Sequence, residues 1–105
     1  MIQDLTPKEF KDYLVDDDVI LVDVREQWEF DICHIKGAIL MPLCEIAKSY
    51  VNLNKDSNIA LYCHSGIRSM HVADFLLSQD FDSLANLQGG IDAWAQEIDT
   101  TVERY

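Results

Sequence analysis

Basic residues are scarce in this chain. Lysine and arginine together number 8 against 19 aspartates and glutamates, so that 105 residues carry a formal net charge of −11. Nucleic acids and anionic membranes attract positively charged proteins, and we therefore expect neither to be a partner. The acidic run Asp16-Asp17-Asp18 is expected to lie in a solvated loop. The alternative is that the acidic surface binds a basic protein partner.

Cysteine is also sparse, and its spacing excludes several kinds of site. The three cysteines, Cys33, Cys44 and Cys63, are odd in number and contain no C-x-x-C pair. This argues against a thioredoxin-type dithiol and against a structural zinc site. The N-terminus lacks a basic segment followed by an apolar run, and no apolar stretch is long enough to cross a bilayer. We expect a cytoplasmic protein with reduced thiols and no bound metal.

Only four glycines and two prolines are present, and no linker, repeat or low-complexity stretch interrupts the chain. Hydrophobic residues make up 49% of the sequence, which is ordinary for a globular protein and too high for a disordered one. A chain of this length can bury a core without disulfides or metal. We therefore predict one domain over residues 1–105.

Strand and helix patterns alternate along the sequence. Strands are predicted at Ile2–Leu5, residues 19–22, residues 38–41, Asn58–Tyr62 and Leu84–Leu87, and helices at residues 7–14, 26–30, 45–51, Ile67–Ser78 and residues 91–96. This order predicts an α/β fold with a mostly parallel sheet of about five strands and helices on both faces. Ligands bind such sheets beyond the carboxyl ends of the strands, where Asp23, Cys63 and Gly89 fall.

The segment Tyr-Cys-His-Ser-Gly-Ile-Arg-Ser at residues 62–69 is the strongest candidate for chemistry. Cys63 ends a buried strand, and a glycine-containing turn leads into a helix near Ile67. Backbone N–H groups and a helix N-terminus can converge there on the sulfur and stabilise a thiolate, the nucleophilic form of cysteine. A cysteine ending a buried strand is more often inert packing, but the polar run after it favours a reactive one. Ser69 is ambiguous, since such a serine often only caps the helix.

The residues around this cysteine suggest what it attacks. Arg68 offers a fixed cation and a forked donor to an anionic substrate. His64 and Ser65 add polar contacts, and Gly66 permits a left-handed turn. A reactive cysteine can attack a disulfide, a thioester, a phosphate ester or a sulfane sulfur, and the residues alone leave these open.

Three blocks in order carry a family resemblance. They read D-V-R-E-x-x-E-F at residues 23–30 leading to H-I-x-G-A at 34–38, C-H-S-G-I-R-S at 63–69, and G-G-I-x-x-W at 89–94. Together they resemble the signatures of the single-domain rhodaneses, sulfurtransferases that carry sulfur as a cysteine persulfide. The resemblance covers nearly the whole chain and implies the rhodanese three-layer α/β sandwich.

The resemblance implies a role for each part of the loop. Cys63 would accept sulfur from a small donor anion such as thiosulfate and pass it to cyanide in an assay or to a thiol in the cell. Substrate-binding groups would come from the loop residues His64, Ser65, Gly66, Ile67, Arg68 and Ser69. Arg68 would be the principal anion contact, and no cofactor is required. A sulfur-accepting protein is an alternative acceptor.

Two other functions remain as alternatives. Phosphatases and arsenate reductases of the same fold have five residues between cysteine and arginine, whereas four separate Cys63 from Arg68 here, which favours a sulfur atom over a phosphate group. A low-turnover module for protein-to-protein sulfur delivery or redox sensing is the second alternative. The presence of Cys63, Gly66 and Arg68 counts against an inactive module.

The remaining candidates surround the loop. Asp23 and Arg25 are expected to support the site, either by pairing or by accepting loop N–H groups. Cys33 stands where the family usually has glycine: either the turn tolerates a side chain, which we favour, or Cys33 resolves the persulfide as a disulfide with Cys63. Cys44 is expected to be a small buried apolar residue.

Overall fold

The central sheet has five strands, all parallel, in the order β1-β5-β4-β2-β3. The computed structural model describes residues 2–105; residue 1 lies outside it, and the predicted domain bounds of 1–105 stay a prediction. The strands are β1 Ile2–Leu5, β2 Val19–Asp23, β3 Ile39–Leu40, β4 Asn58–Tyr62 and β5 Leu84–Leu87. The predicted α/β class is confirmed, and β4 lies at the centre of the sheet between β2 and β5.

Helices follow the strands as predicted. They are α1 Pro7–Tyr13, α2 Gln27–Ile32, α3 Ile46–Ser49, α4 Ile67–Ser78 and α5 Gly90–Glu97. The start of α1 is a capping box, in which the Thr6 hydroxyl accepts from the Glu9 N–H and the Glu9 carboxylate accepts from the Thr6 N–H. The helix predicted over residues 45–51 is instead one α-helical turn between two short 3₁₀ segments, Leu43–Glu45 and Tyr50–Asn52. Among residues 2–105, none of the helices is long and apolar enough to span a bilayer.

The core lies on both faces of the sheet, because side chains of a strand alternate between faces. Ile59, Leu61 and Cys63 belong to one apolar cluster, which includes residues of α3 and α4. Ala60 and Tyr62 belong to the other, which includes residues of α1 and α5. Burial on both faces explains why β4 is a continuous apolar run, and each large side chain buried there contributes about 1.5–3 kcal/mol. The result is a three-layer sandwich.

The register of the strands determines what meets at the carboxyl edge. Asp23 at the end of β2 is level with Tyr62 at the end of β4. The backbone continues this pairing, since the Val24 N–H donates to the Tyr62 carbonyl at 3.1 Å. The residues after β2 and β4 therefore lie side by side at the carboxyl edge of the sheet.

Candidate active site

Cys63 follows β4 directly and is only 1% exposed. Its sulfur accepts a hydrogen bond from the Gly66 N–H at 3.1 Å and another from the Ser69 hydroxyl at 3.4 Å. The two donors come from the residue before α4 and from the first turn of that helix. The 12-residue helix α4 begins at Ile67 and adds the positive end of its dipole to the same side. Ser69 is thus a donor to the sulfur.

Two glycines allow this loop to close. Gly66 has φ +98°, and a Cβ there would lie 3.1 Å from the Leu87 carbonyl oxygen. Gly90 has φ +63°, and a Cβ there would overlap the carbonyl group of His64 and lie 2.5 Å from that of Cys63. Both positions therefore require glycine, for conformation and for space.

The amino end of α5 holds the loop from behind. The Ile91 N–H donates to the Cys63 carbonyl at 2.8 Å, and the Asp92 N–H donates to the His64 carbonyl at 3.1 Å. These are free N–H groups of the first helical turn, so the contact satisfies donors that the helix itself cannot. The third sequence block, residues 89–94, therefore supports the cysteine loop of the second block through backbone hydrogen bonds.

Arg68 is engaged by a carboxylate. Its two terminal nitrogens donate to the two carboxylate oxygens of Glu29, each at 2.8 Å. Glu29 is 3% exposed and belongs to α2. The hydrogen bond from Arg68 lowers the pKa of Glu29 to about 2, and Glu29 in turn raises the pKa of Arg68. The sequence predicted Arg68 as the main anion contact, whereas in the structure its forked donor is occupied by this internal partner.

A second arginine–carboxylate pair lies beside the first. Arg25 and Asp23 are both fully buried, with Nη2 at 2.6 Å and Nε at 2.9 Å from carboxylate oxygens. Asp23 also accepts from the Arg25 backbone N–H at 2.9 Å, so its oxygens are used by Arg25 rather than by N–H groups of the cysteine loop. Burial alone would lower the pKa of Arg25, but the bonds to Asp23 and Tyr105 outweigh it and raise that pKa.

Tyr105 connects the two pairs. Its hydroxyl accepts from Arg25 Nη1 at 2.9 Å and donates to Glu29 Oε2 at 2.7 Å. Its ring stacks on the His64 imidazole, with centroids 4.3 Å apart, and meets the Trp28 ring edge-on at 5.9 Å. Burial, followed by the bond to Glu29, raises the pKa of Tyr105 to about 12.

Sequence reasoning missed the roles of Glu29 and Tyr105. Glu29 lies inside the first block, and an acidic residue there could have been considered as a partner for a loop arginine. Tyr105 gave no local signal, because its hydroxyl partners are 80 and 76 positions away along the chain. The predicted loop residues Ser65 and Ile67 have exposed side chains.

The structure agrees with the favoured interpretation of Cys33 and disagrees with the prediction for Cys44. Cys33 has φ −163° and ψ 152°, an extended backbone open to any residue, so the interpretation that the turn tolerates its side chain is confirmed. Its carbonyl accepts from Arg25 at 2.6 Å. The prediction that Cys44 is buried is wrong: it is exposed in the 3₁₀ segment after Pro42, where Leu43 packs inward instead. All three cysteines are free thiols.

Small cavities adjoin the loop. One of about 200 Å³ is lined by Val24, Glu26, Pro42, Leu43, Cys44 and Arg68, and one of about 330 Å³ includes Ser65, Gly66, Ile67 and His71. A wider groove, about 690 Å³, is lined by residues such as Cys33 and Trp94 and by none of the loop residues 63–69. Cys63 itself is not among the residues that line the two smaller cavities. Within residues 2–105, His, Cys, Asp and Glu side chains form no group suited to a metal ion.

Known proteins are similar to this chain in sequence and in fold. The model of the rhodanese-like domain matches residues 6–97. The tRNA uridine(34) hydroxylase of Staphylococcus carnosus (strain TM300) is 35% identical over 107 residues, which cover 96% of this chain and 34% of that protein. The tRNA uridine(34) hydroxylase of Staphylococcus aureus (strain COL) is 35% identical over 98% of this chain and 34% of its own length. The chain spans about a third of the length of these curated relatives.

Solved structures extend the likeness to three dimensions. The crystal structure of a rhodanese-like domain protein from Staphylococcus aureus superposes with a TM-score of 0.82 at 30% identity, covering 98% of both chains. A rhodanese-related protein from Thermoplasma volcanium has the same fold, with a TM-score of 0.82 at 24% identity over 91% of this chain and 93% of its own. With its sequence blocks, its parallel sheet and its cysteine loop all matching, this chain belongs to the rhodanese-like domain family.

Proposed function

We propose that this chain is a sulfurtransferase that carries sulfane sulfur as a persulfide of Cys63. The observation that carries the proposal is the pair of hydrogen-bond donors at the Cys63 sulfur, the Gly66 N–H and the Ser69 hydroxyl, which would stabilise a thiolate there. A thiolate at this position is the nucleophile that sulfur transfer requires.

In the first half-reaction the Cys63 thiolate attacks the outer sulfur of a donor such as thiosulfate. The new S–S bond forms as the sulfur–sulfur bond of thiosulfate breaks, and its electron pair leaves with sulfite. The enzyme then holds Cys63–S–S⁻. Charge is conserved, because a monoanionic thiolate and a dianion become a monoanionic persulfide and sulfite dianion. No redox partner or cofactor is needed.

The loop is suited to hold the terminal sulfur. Its backbone N–H groups would stabilise the persulfide charge as an oxyanion hole stabilises oxygen. The helix N-terminus at Ile67 adds to the same positive potential. The Glu29 carboxylate neutralises Arg68, so the loop amides rather than the guanidinium supply most of this stabilisation.

In the second half-reaction a thiophilic acceptor removes the terminal sulfur. Cyanide would give thiocyanate, and a thiol would give a new persulfide, each regenerating the Cys63 thiolate. The Cys63 persulfide links the two half-reactions as a covalent intermediate. We therefore expect ping-pong kinetics. Phosphate transfer is disfavoured, because only four residues separate Cys63 from Arg68.

A second candidate comes from the curated relatives, whose names describe a tRNA-modifying hydroxylase. This chain would then serve as the rhodanese part of such an activity, or as a low-turnover module that delivers sulfur to another protein. The net charge of −11 opposes direct binding of tRNA to this chain. Fluorescence anisotropy of labelled tRNA, titrated with the chain at low salt, tests this candidate. No change in anisotropy would support a small-molecule or protein acceptor, and saturable binding would favour the tRNA role.

Mass spectrometry after incubation with thiosulfate tests the main proposal. We expect a gain of about 32 Da on Cys63, lost on adding cyanide with formation of thiocyanate. Cys63→Ser should abolish the adduct, whereas Cys33→Ser and Cys44→Ser should retain it. A folded protein that gains no sulfur and forms no thiocyanate would contradict the proposal.

We also propose that the protein works in a reducing, cytoplasmic environment, because its three cysteines are free thiols.

A further inference from the structure

Tyr105 has contacts that the sulfur-transfer steps do not explain. It reaches both sides of the Cys63 loop at once. On one side its ring stacks on His64, the residue immediately after the nucleophile, at 4.3 Å and with an interplanar angle of 18°. On the other its hydroxyl donates to Glu29, which holds Arg68 at the far end of the loop.

The hydroxyl also completes a chain of charged groups. The order of contacts is Asp23, Arg25, Tyr105, Glu29, Arg68, and every link is 2.9 Å or shorter. Charged groups removed from water need all their hydrogen-bonding capacity satisfied, and a hydroxyl can accept from a cation and donate to an anion at once. Phenylalanine cannot replace this bridge, although it can replace the stacked ring.

The segment before Tyr105 is fastened to the same region. Arg104 Nε donates to Asp92 Oδ1 at 2.9 Å. Asp92 is also the residue whose backbone N–H holds the His64 carbonyl. Tyr105 and the start of α5 therefore both contact His64, the former through its ring and the latter through the Asp92 N–H.

We propose that Tyr105 is a positioning residue of the Cys63 loop, which fixes His64 by stacking and Arg68 through Glu29 so that the Gly66 N–H stays aimed at the sulfur. Its effect on turnover rests on the sulfurtransferase function proposed above. Its effect on loop order does not, and that difference separates the two proposals experimentally.

Amide hydrogen exchange measured by NMR is the first test. We expect Tyr105→Phe to speed exchange of the Gly66 amide about tenfold, because a hydrogen bond to a charged group is lost at the arginine end of the loop. Tyr105→Leu, which also removes the stacked ring, should in addition speed exchange of the Asp92 amide. Amides of β4 should keep their protection. An equal loss of protection in β4, or no change at Gly66 in either variant, would overturn the proposal.

Steady-state kinetics with thiosulfate and cyanide are the second test. We expect Tyr105→Phe to lower kcat about tenfold with little change in KM, because an aligned Gly66 N–H would stabilise charge that develops on sulfur during transfer. Tyr13→Phe is the matched control: the Tyr13 hydroxyl on α1 is buried without a hydrogen-bond partner, and its removal should leave kcat unchanged. Wild-type kcat in Tyr105→Leu would overturn the proposal. An inactive wild-type chain whose Gly66 exchange still depends on Tyr105 would refute the sulfurtransferase function alone.

Discussion

Arg68 and Glu29 face each other as a bidentate pair, with the two terminal guanidinium nitrogens each 2.8 Å from a carboxylate oxygen. The pair joins the two ends of the site, since Glu29 comes from the helix after β2 and Arg68 from the helix after Cys63. Because Glu29 is buried, its charge depends on this partner. The main role of Arg68 in this structure is therefore to stabilise the loop. Only the N–H groups that do not donate to Glu29 are left to contact a substrate.

The pair makes stability depend on pH in a defined window. The pKa of Glu29 lies at about 2 in the folded protein against an ordinary value of 4.5. Its contribution is fully present above about pH 4.5 and is lost as the pH falls towards 2. We expect Glu29→Gln to be about 1–3 kcal/mol less stable than wild type at neutral pH, and the difference to shrink as the pH falls. Urea unfolding of both proteins from about pH 6 to pH 3 measures this. A difference that stays constant over the range would contradict the assignment.

A double-mutant cycle tests whether the two side chains act as one unit. Arg68→Ala leaves the buried carboxylate of Glu29 without its main donor and should cost about 1–3 kcal/mol of unfolding free energy. Glu29→Gln in the Arg68→Ala background should then cost much less than in the wild type. Equilibrium urea unfolding of the four proteins gives the coupling energy. Additive costs would show that the pair contributes no interaction beyond its separate parts.

The sequence predicted the parts of the structure that depend on local patterns. β4, α4 and β5 have the predicted bounds, because their apolar runs and periodicity are unambiguous. The loop from Cys63 to Ser69 could be identified, since the strand, glycine turn and helix are consecutive. The pairing of Arg68 could not be predicted, because Glu29 is 39 positions away and an arginine in such a loop is equally able to bind a substrate. Cys44 was misjudged because its residue type, and not the 3₁₀ turn around it, guided the prediction.

Gly90 should be intolerant of any side chain for a reason specific to the site. A Cβ there would overlap the His64 carbonyl that the start of α5 holds, so Gly90→Ala must push the loop away from the helix. We expect the rate of the proposed sulfur transfer to fall at least tenfold, together with a loss of stability of about 1–3 kcal/mol. Gly37→Ala is the control, because Gly37 also has a positive φ of +89° but nothing lies within 4 Å of its Cβ position. That variant should lose stability while keeping its kcat. Equal kcat in both variants would exclude a specific role of the Gly90 contact.

Ser69 should contribute to reactivity through its hydrogen bond to the sulfur. Ser69→Ala removes the hydroxyl donor 3.4 Å from Cys63 and leaves the Gly66 N–H in place. The sulfur then loses one of its two hydrogen-bond donors, so alkylation of Cys63 by iodoacetamide should slow several-fold, as should the proposed first half-reaction with thiosulfate. Ser49→Ala is the matched control, because the Ser49 hydroxyl on α3 is buried without a partner and its loss should leave both rates unchanged. Alkylation mapped to Cys63 by peptide mass spectrometry distinguishes it from reaction at the exposed Cys44. Equal rates at Cys63 in the two serine variants would show that the Ser69 hydroxyl does not contribute to the reactivity of Cys63.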